Sequence, residues 1–148
     1  MKVTTNWKGK MRFEASHGEN TVPMDAPAPM GETSALSPKQ LLLAAVSGCT
    51  GIDVAARMRK FKQDLRSLRI EANAPKKEGK PSTFGAVTLE YYFEGAVDET
   101  IAVEAVVASQ TEECGVSAIV ASHCPIFYRV YLNGRLVREG QARFFATA

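Results

Sequence analysis

Ser37-Pro38-Lys39-Gln40-Leu41-Leu42-Leu43-Ala44-Ala45-Val46-Ser47-Gly48-Cys49 is the stretch whose reading decides the fold. A serine hydroxyl can cap the first free N–H groups of a helix, and proline is pre-shaped for the first helical position. A glutamine three residues after the cap can reach back to it, so Ser37, Pro38 and Gln40 together predict a sharp helix start. The helix can be followed to about Lys60. Its first half is apolar or small all round, which predicts burial on most sides, and Arg57, Arg59 and Lys60 suit a solvated helix C-terminus.

Upstream, Val3 to Lys8, Met11 to Ala15 and Thr21 to Met24 read as short strands, with Pro23 placing the third at an edge. Asp25 to Ala35 is rich in Pro, Gly and polar residues and predicts a loop over the surface or across a partner. Downstream, Leu68 to Asn73 and Val87 to Phe93 read as strands, the second alternating apolar and polar residues as a half-buried antiparallel strand does. Pro75 to Ser82 is read as the hairpin loop between them. Asp98 is a cap for a second helix through Ile101, Ala105 and Ala108, and a further turn or two carries Cys114, Val116 and Ile119. Ile126 to Leu132 and Arg135 to Val137 flank Asn133-Gly134, a two-residue hairpin signal. There is no internal repeat, and the whole chain, 1–148, reads as one α+β domain.

With 148 residues, 45% hydrophobic and 23% charged, the chain can build a real core. A formal net charge of +2 supplies no strong field, and the basic groups Lys8, Lys10, Arg12 and Lys76, Lys77, Lys80 lack interleaved aromatics, so no nucleic-acid partner is expected. Met1 to Lys10 lacks the cationic start and apolar run of a signal peptide, and the run Leu41 to Val46 is too short to span a bilayer, so no membrane role is expected either. Three cysteines with no close pair form neither a disulfide framework nor a zinc spacing, which fits a reducing, cytoplasmic compartment and no metal.

Cys49 sits among Ser47, Gly48, Thr50 and Gly51, small neighbours that allow another backbone close by. A cysteine in an apolar helix is either a small core residue or a nucleophile. At three turns from the helix start, Cys49 lies beyond the reach of the terminal dipole, so a thiolate there needs nearby cations. Asp53, one turn on, opposes the thiolate unless Arg57 or Arg12 neutralises it. Thr111-Glu112-Glu113 before Cys114 can open a helix with Thr111 as cap, which would place Cys114 in the first turn; packing beneath the strands is the other reading. Cys124 beside His123 is read as structural, and His17 as exposed.

Residues Ser37 to Cys49 resemble the helix of the OsmC/Ohr family, in which a Ser-Pro or Thr-Pro start leads through an alanine-rich apolar run to the first cysteine. Thr111-Glu112-Glu113-Cys114-Gly115-Val116-Ser117 is similar to the second family cysteine and its helix, and Ile126 to Val130 with Leu132-Asn133-Gly134 to the closing strand. Cys49-Thr50-Gly51-Ile52-Asp53 matches the Cys-Ser/Thr-x-Ile-Asp of the OsmC-like branch. The resemblance implies antiparallel sheets packed around a long central helix in an intertwined homodimer. In the peroxidase branches the first cysteine attacks an organic hydroperoxide and the second resolves the sulfenic acid as a disulfide, which an external thiol reduces. Carried over, Cys49 is peroxidatic, Cys114 resolving and Arg12 the candidate activating cation, with no metal or organic cofactor. Where those branches place a glutamate near the helix start, this chain has Lys39 and Gln40. That departure leaves a second expectation, a non-enzymatic dimeric protein of the same fold that binds a small apolar ligand or senses redox state.

Overall fold

In the computed structural model, which describes residues 1–144, the capping signals at Ser37 are realised. Helix α1 spans Pro38–Lys60; the Ser37 backbone N–H donates to Gln40 Oε1 at 2.8 Å, and the Gln40 N–H returns to Ser37 Oγ at 3.4 Å. The described residues fall into two compact units, Met1–Ala44 and the part that begins at Ala45, with the boundary inside α1.

The first unit holds an antiparallel sheet of β1 (Thr4–Trp7), β2 (Phe13–His17) and β3 (Asn20–Met24) in that order, so Pro23 does lie on an edge strand. Its following loop is tied by one buried carboxylate: Asp25 accepts bonds from the backbone of Ala26, Glu32 and Ser34 and from the Ser34 hydroxyl. These donors, the Ser34 backbone first, hold the carboxyl below its ordinary range.

The second unit is built on a four-stranded sheet ordered β4-β7-β8-β9, from β4 (Asp64–Asn73), β7 (Val87–Ala96), β8 (Ile126–Leu132) and β9 (Arg135–Gln141). The segment read as a plain loop carries a two-stranded ribbon, β5 (Lys76–Lys77) with β6 (Thr83–Phe84). The expectation of antiparallel sheets is corrected here. β7 pairs antiparallel with β4 but parallel with β8, because the connection between them is a crossover through α2 (Glu99–Ala108), a π-helical turn (Ser109–Glu113) and α3 (Gly115–Ala121). Asp98 caps α2 as read, accepting from the Ile101 N–H at 3.0 Å. Asn133 and Gly134, both at positive φ, make the β8–β9 turn.

Val87, Leu89, Tyr91 and Phe93 of β7 are fully buried, as are Ile126 and Val130 of β8, and α2 and α3 pack on β8. α1 contributes a single stripe to this core, Val46, Thr50, Val54 and Met58, four residues apart and so on one face. Gly51 belongs to the same contact: a Cβ there would lie 3.2 Å from Ile70 Cδ1 of β4. The expected burial of the helix's first half on most sides is not found. Leu42 is 42% exposed and Gly48 faces open space, as does Ile52 in the second half at 72%, because one sheet covers only one face of a helix. By length and composition α1 alone among the described helices could cross a bilayer, so the short run Leu41 to Val46 understates it. Its stripe is instead packed against protein.

Candidate functional site

Cys49 sits on α1 one residue before the buried Thr50 and is half-buried. Asp53 lies one turn further along. Cys114 reaches the same place from the crossover, fully buried. The sulfurs of Cys49 and Cys114 and a carboxylate oxygen of Asp53 all lie within 4.8 Å of one another.

The π-helical turn is what delivers the third of these groups. It ends with the Cys114 N–H bonded to the Ser109 carbonyl at 3.0 Å, and Cys114 then turns extended and caps α3 with its own sulfur, accepting from the Ser117 N–H at 3.3 Å. The reading that Thr111 caps this helix is therefore corrected: Thr111 lies inside the π-helical turn and its hydroxyl donates to the Val107 carbonyl at 2.9 Å. Cys114 is the cap and not a first-turn residue. Burial pushes its thiol up, against the stabilising bonds from Ser117, and the neighbouring Cys49 adds to the rise.

Beneath the three groups runs a buried polar chain that the sequence does not announce. A carboxylate can only accept, so the Ser109 hydroxyl spends its one hydrogen on Asp53 Oδ2 at 2.9 Å. The Thr50 hydroxyl, 2.7 Å from Ser109 Oγ, must then donate to it, and Tyr91 Oη, 2.8 Å from Thr50, must donate in turn. Every donor in this chain points toward Asp53. Gln110 Nε2 stands at the branch, 3.1 Å from Thr50 Oγ1, 3.2 Å from Tyr91 Oη and 3.1 Å from Ser117 Oγ, so it couples the Asp53 chain to the residue that caps with Cys114. Gln110 is fully buried and its Oε1 has no partner among the described residues. Burial drives the Tyr91 phenol far above its ordinary value, so it remains a donor.

Arg57 does not neutralise Asp53 as the sequence allowed. Its guanidinium grips Glu113, with Nε 3.2 and 3.1 Å from the two carboxylate oxygens and Nη2 2.5 Å from Oε1. This pairing raises Arg57 and lowers Glu113 from their ordinary values. Asp53, Ala56, Arg57, Lys60 and Glu113 line a shallow open depression beside the thiols. Arg12 lies in the first unit, in the turn before β2, where its N–H donates to the Gly9 carbonyl and its carbonyl accepts from the Lys8 N–H. Cys124 is buried and its thiol is raised by that burial, while His123 and His17 are exposed.

A sequence profile described as OsmC-like protein matches residues 31–129, two thirds of the chain. The chain belongs to the OsmC-like protein family. Solved OsmC-like folds agree. A hypothetical protein from Aquifex aeolicus VF5 superposes with a TM-score of 0.81 at 20% identity, covering 89% of this chain and 95% of its own. An OsmC like protein from Mycoplasma pneumoniae gives 0.73 at 14% identity, over 88% and 95% of the two chains. The organic hydroperoxide resistance protein OhrB of Bacillus subtilis gives 0.62 at 20% identity, over 89% and 96%. Among curated proteins none matches. Within this OsmC-like chain, the residues that sequence reasoning missed are Ser109 and Gln110, which open the polar run Ser109–Glu113; Ser117; and Tyr91, whose hydroxyl sits on the buried face of β7. Ser117 alone carried a signal, as a polar residue in the apolar run of α3.

Proposed function

We propose that this protein reduces organic hydroperoxides, with Cys49 as the attacking thiolate and Cys114 as the resolving thiol. The observation that carries the reading is the closeness of the two sulfurs, within 4.8 Å, with Cys49 reachable and Cys114 fully buried. The Cys49 thiolate attacks one peroxide oxygen and the O–O bond breaks. The alkoxide leaves, takes a proton and departs as an alcohol, while the sulfur loses two electrons and becomes a sulfenic acid. Cys114 then displaces the sulfenic hydroxyl, which leaves as water, and forms an S–S bond that an external thiol reduces. The burial that raises Cys114 disfavours its direct reaction with peroxide, which supports this order of the two cysteines.

Asp53 beside both sulfurs opposes a thiolate, so an activating cation is required, and Arg12 keeps that role in the proposal. Family membership and the likeness to a hydroperoxide resistance protein support the substrate class. The homodimer belongs to the same proposal and is supported by an uncovered face of α1: Ala45, Gly48, Ile52 and Ala55 are exposed, small or apolar, and spaced three or four apart. Such a face suits close packing against a second copy of the helix. A cytoplasmic, thiol-rich setting fits the free cysteines.

The test is turnover of cumene hydroperoxide with a dithiol reductant. Cys49→Ser should abolish it with an unchanged thermal melt, and turnover at the parent rate would remove the assignment.

A further inference from the structure

Cys49, Asp53 and Cys114 are also a metal ligand set, one that the linear spacing of the cysteines hides. Cys49 and Asp53 stand four residues apart on α1 and so share a face, while Cys114 comes from the end of the crossover. With Zn–S bonds of about 2.3 Å, two thiolates in a tetrahedral site lie about 3.8 Å apart. The three donor atoms here are all within 4.8 Å; with a Zn–O bond of about 2.0 Å the sulfur–oxygen target is about 3.5 Å, so no pair needs to close by more than about 1.3 Å. That is a side-chain adjustment and needs no rearrangement of the helices.

Two further observations point the same way. Each of two ligands is already oriented from behind, Asp53 by the Ser109 hydroxyl on Oδ2 and Cys114 by the Ser117 N–H and hydroxyl on its sulfur. Hydrogen bonds of this kind are how outer groups fix metal ligands. The orienting groups are themselves joined through Thr50 and Gln110 in one buried network. Asp53 also lines the open depression, which provides an approach; Arg57 and Glu113 on its wall neutralise each other, and Lys60 adds one positive charge.

We propose that the reduced protein binds one zinc-like divalent transition-metal ion through Cys49, Asp53 and Cys114, with a fourth position open toward the depression. Binding releases the two thiol protons and changes no oxidation state. Two sulfur donors select against magnesium and calcium, and the single carboxylate suits zinc or cobalt better than copper(I). The binding does not depend on the peroxidase reading; where that reading holds, the bound ion holds both sulfurs as ligands and withholds Cys49 from peroxide.

Cobalt(II) added anaerobically to the reduced full-length chain tests this. The expected result is one equivalent bound, with a thiolate-to-cobalt charge-transfer band in the near ultraviolet and the intense visible bands of a four-coordinate ion, both displaced by zinc. Asp53→Asn and Cys49→Ser should each weaken binding at least about tenfold, and Cys124→Ser should leave it unchanged. The weak spectrum of six-coordinate aqueous cobalt, or Asp53→Asn and Cys49→Ser variants that bind as the parent does, would overturn the site. Both positions are half-buried, so thermal melts of the two variants establish that they are folded. Hydroperoxide turnover of chelator-treated protein is read separately: turnover without cobalt binding sinks the metal site alone, and cobalt binding without turnover sinks the peroxidase reading alone.

Discussion

Replacing Ser109 with alanine tests the donor chain that ends on Asp53. The fully buried Ser109 hydroxyl makes two bonds, accepting from Thr50 at 2.7 Å and donating to Asp53 Oδ2 at 2.9 Å. A buried neutral bond contributes about 1 kcal/mol and a bond to a carboxylate about 1.5–3 kcal/mol; Asp53 is only half-buried, so the lower figure applies to the second. The Thr50 hydrogen loses its acceptor, while Tyr91 and Gln110 keep partners in Thr50. The expected loss is about 2.5 kcal/mol, or about 5–10 °C in melting temperature for a chain of this length. Urea unfolding of the reduced protein measures it, with Tyr91→Phe as the comparison, since that change strands no donor on Thr50 and should cost about 1–2 kcal/mol. A Ser109→Ala protein within about 0.5 kcal/mol of the parent would refute the directed chain, because that is the range of substitutions touching nothing.

In Cys114→Ser, the Cys49 sulfenic acid should persist and be trapped by dimedone, where the parent passes on to the disulfide; mass spectrometry of the peroxide-treated proteins reads the difference. Ile52→Lys places a charge at a position 72% exposed in the single chain, so it should leave chain stability within about 0.5 kcal/mol and convert the proposed dimer to monomer, read by light scattering. The Arg57 pairing lowers Glu113 from its ordinary 4.5, so its stabilising effect is fully present above that value and is lost as the pH falls through the lowered one. Both partners are partly solvated, which limits the effect to about 1 kcal/mol. Glu113→Gln should accordingly be less stable than the parent at neutral pH and converge with it in acid unfolding curves as the pH falls through the lowered Glu113 value.

The elements written in local chemistry were legible. Ser37, Pro38 and Gln40 mark the start of α1, Asp98 the start of α2, and Asn133-Gly134 the last hairpin, because each signal acts within a few residues. The edge strand β4 begins at Asp64, four residues before the strand read from Leu68, since charged Asp64 and Arg66 on a sheet edge break the apolar alternation. The parallel pairing of β7 with β8 was hidden because alternation along a strand does not reveal its neighbour's direction. The apolar first half of α1 was read as buried on most sides, whereas one stripe alone is covered; composition does not say whether such a surface is covered by the same chain or by another. The family cysteines were visible as a resemblance. That Asp53 joins them, and that Ser109, Gln110 and Ser117 hold the arrangement, depended on a π-helical turn whose extra residue shifts which side chains face inward.

The most direct test of the central claim is oxidation of the reduced protein with one equivalent of cumene hydroperoxide, beside one equivalent of hydrogen peroxide, followed by peptide mapping. The account predicts rapid formation of a Cys49–Cys114 disulfide, with the loss of two hydrogens from the thiols, faster with the organic peroxide. Slow oxidation without preference between the peroxides, or a disulfide through Cys124 in place of Cys49, would contradict it.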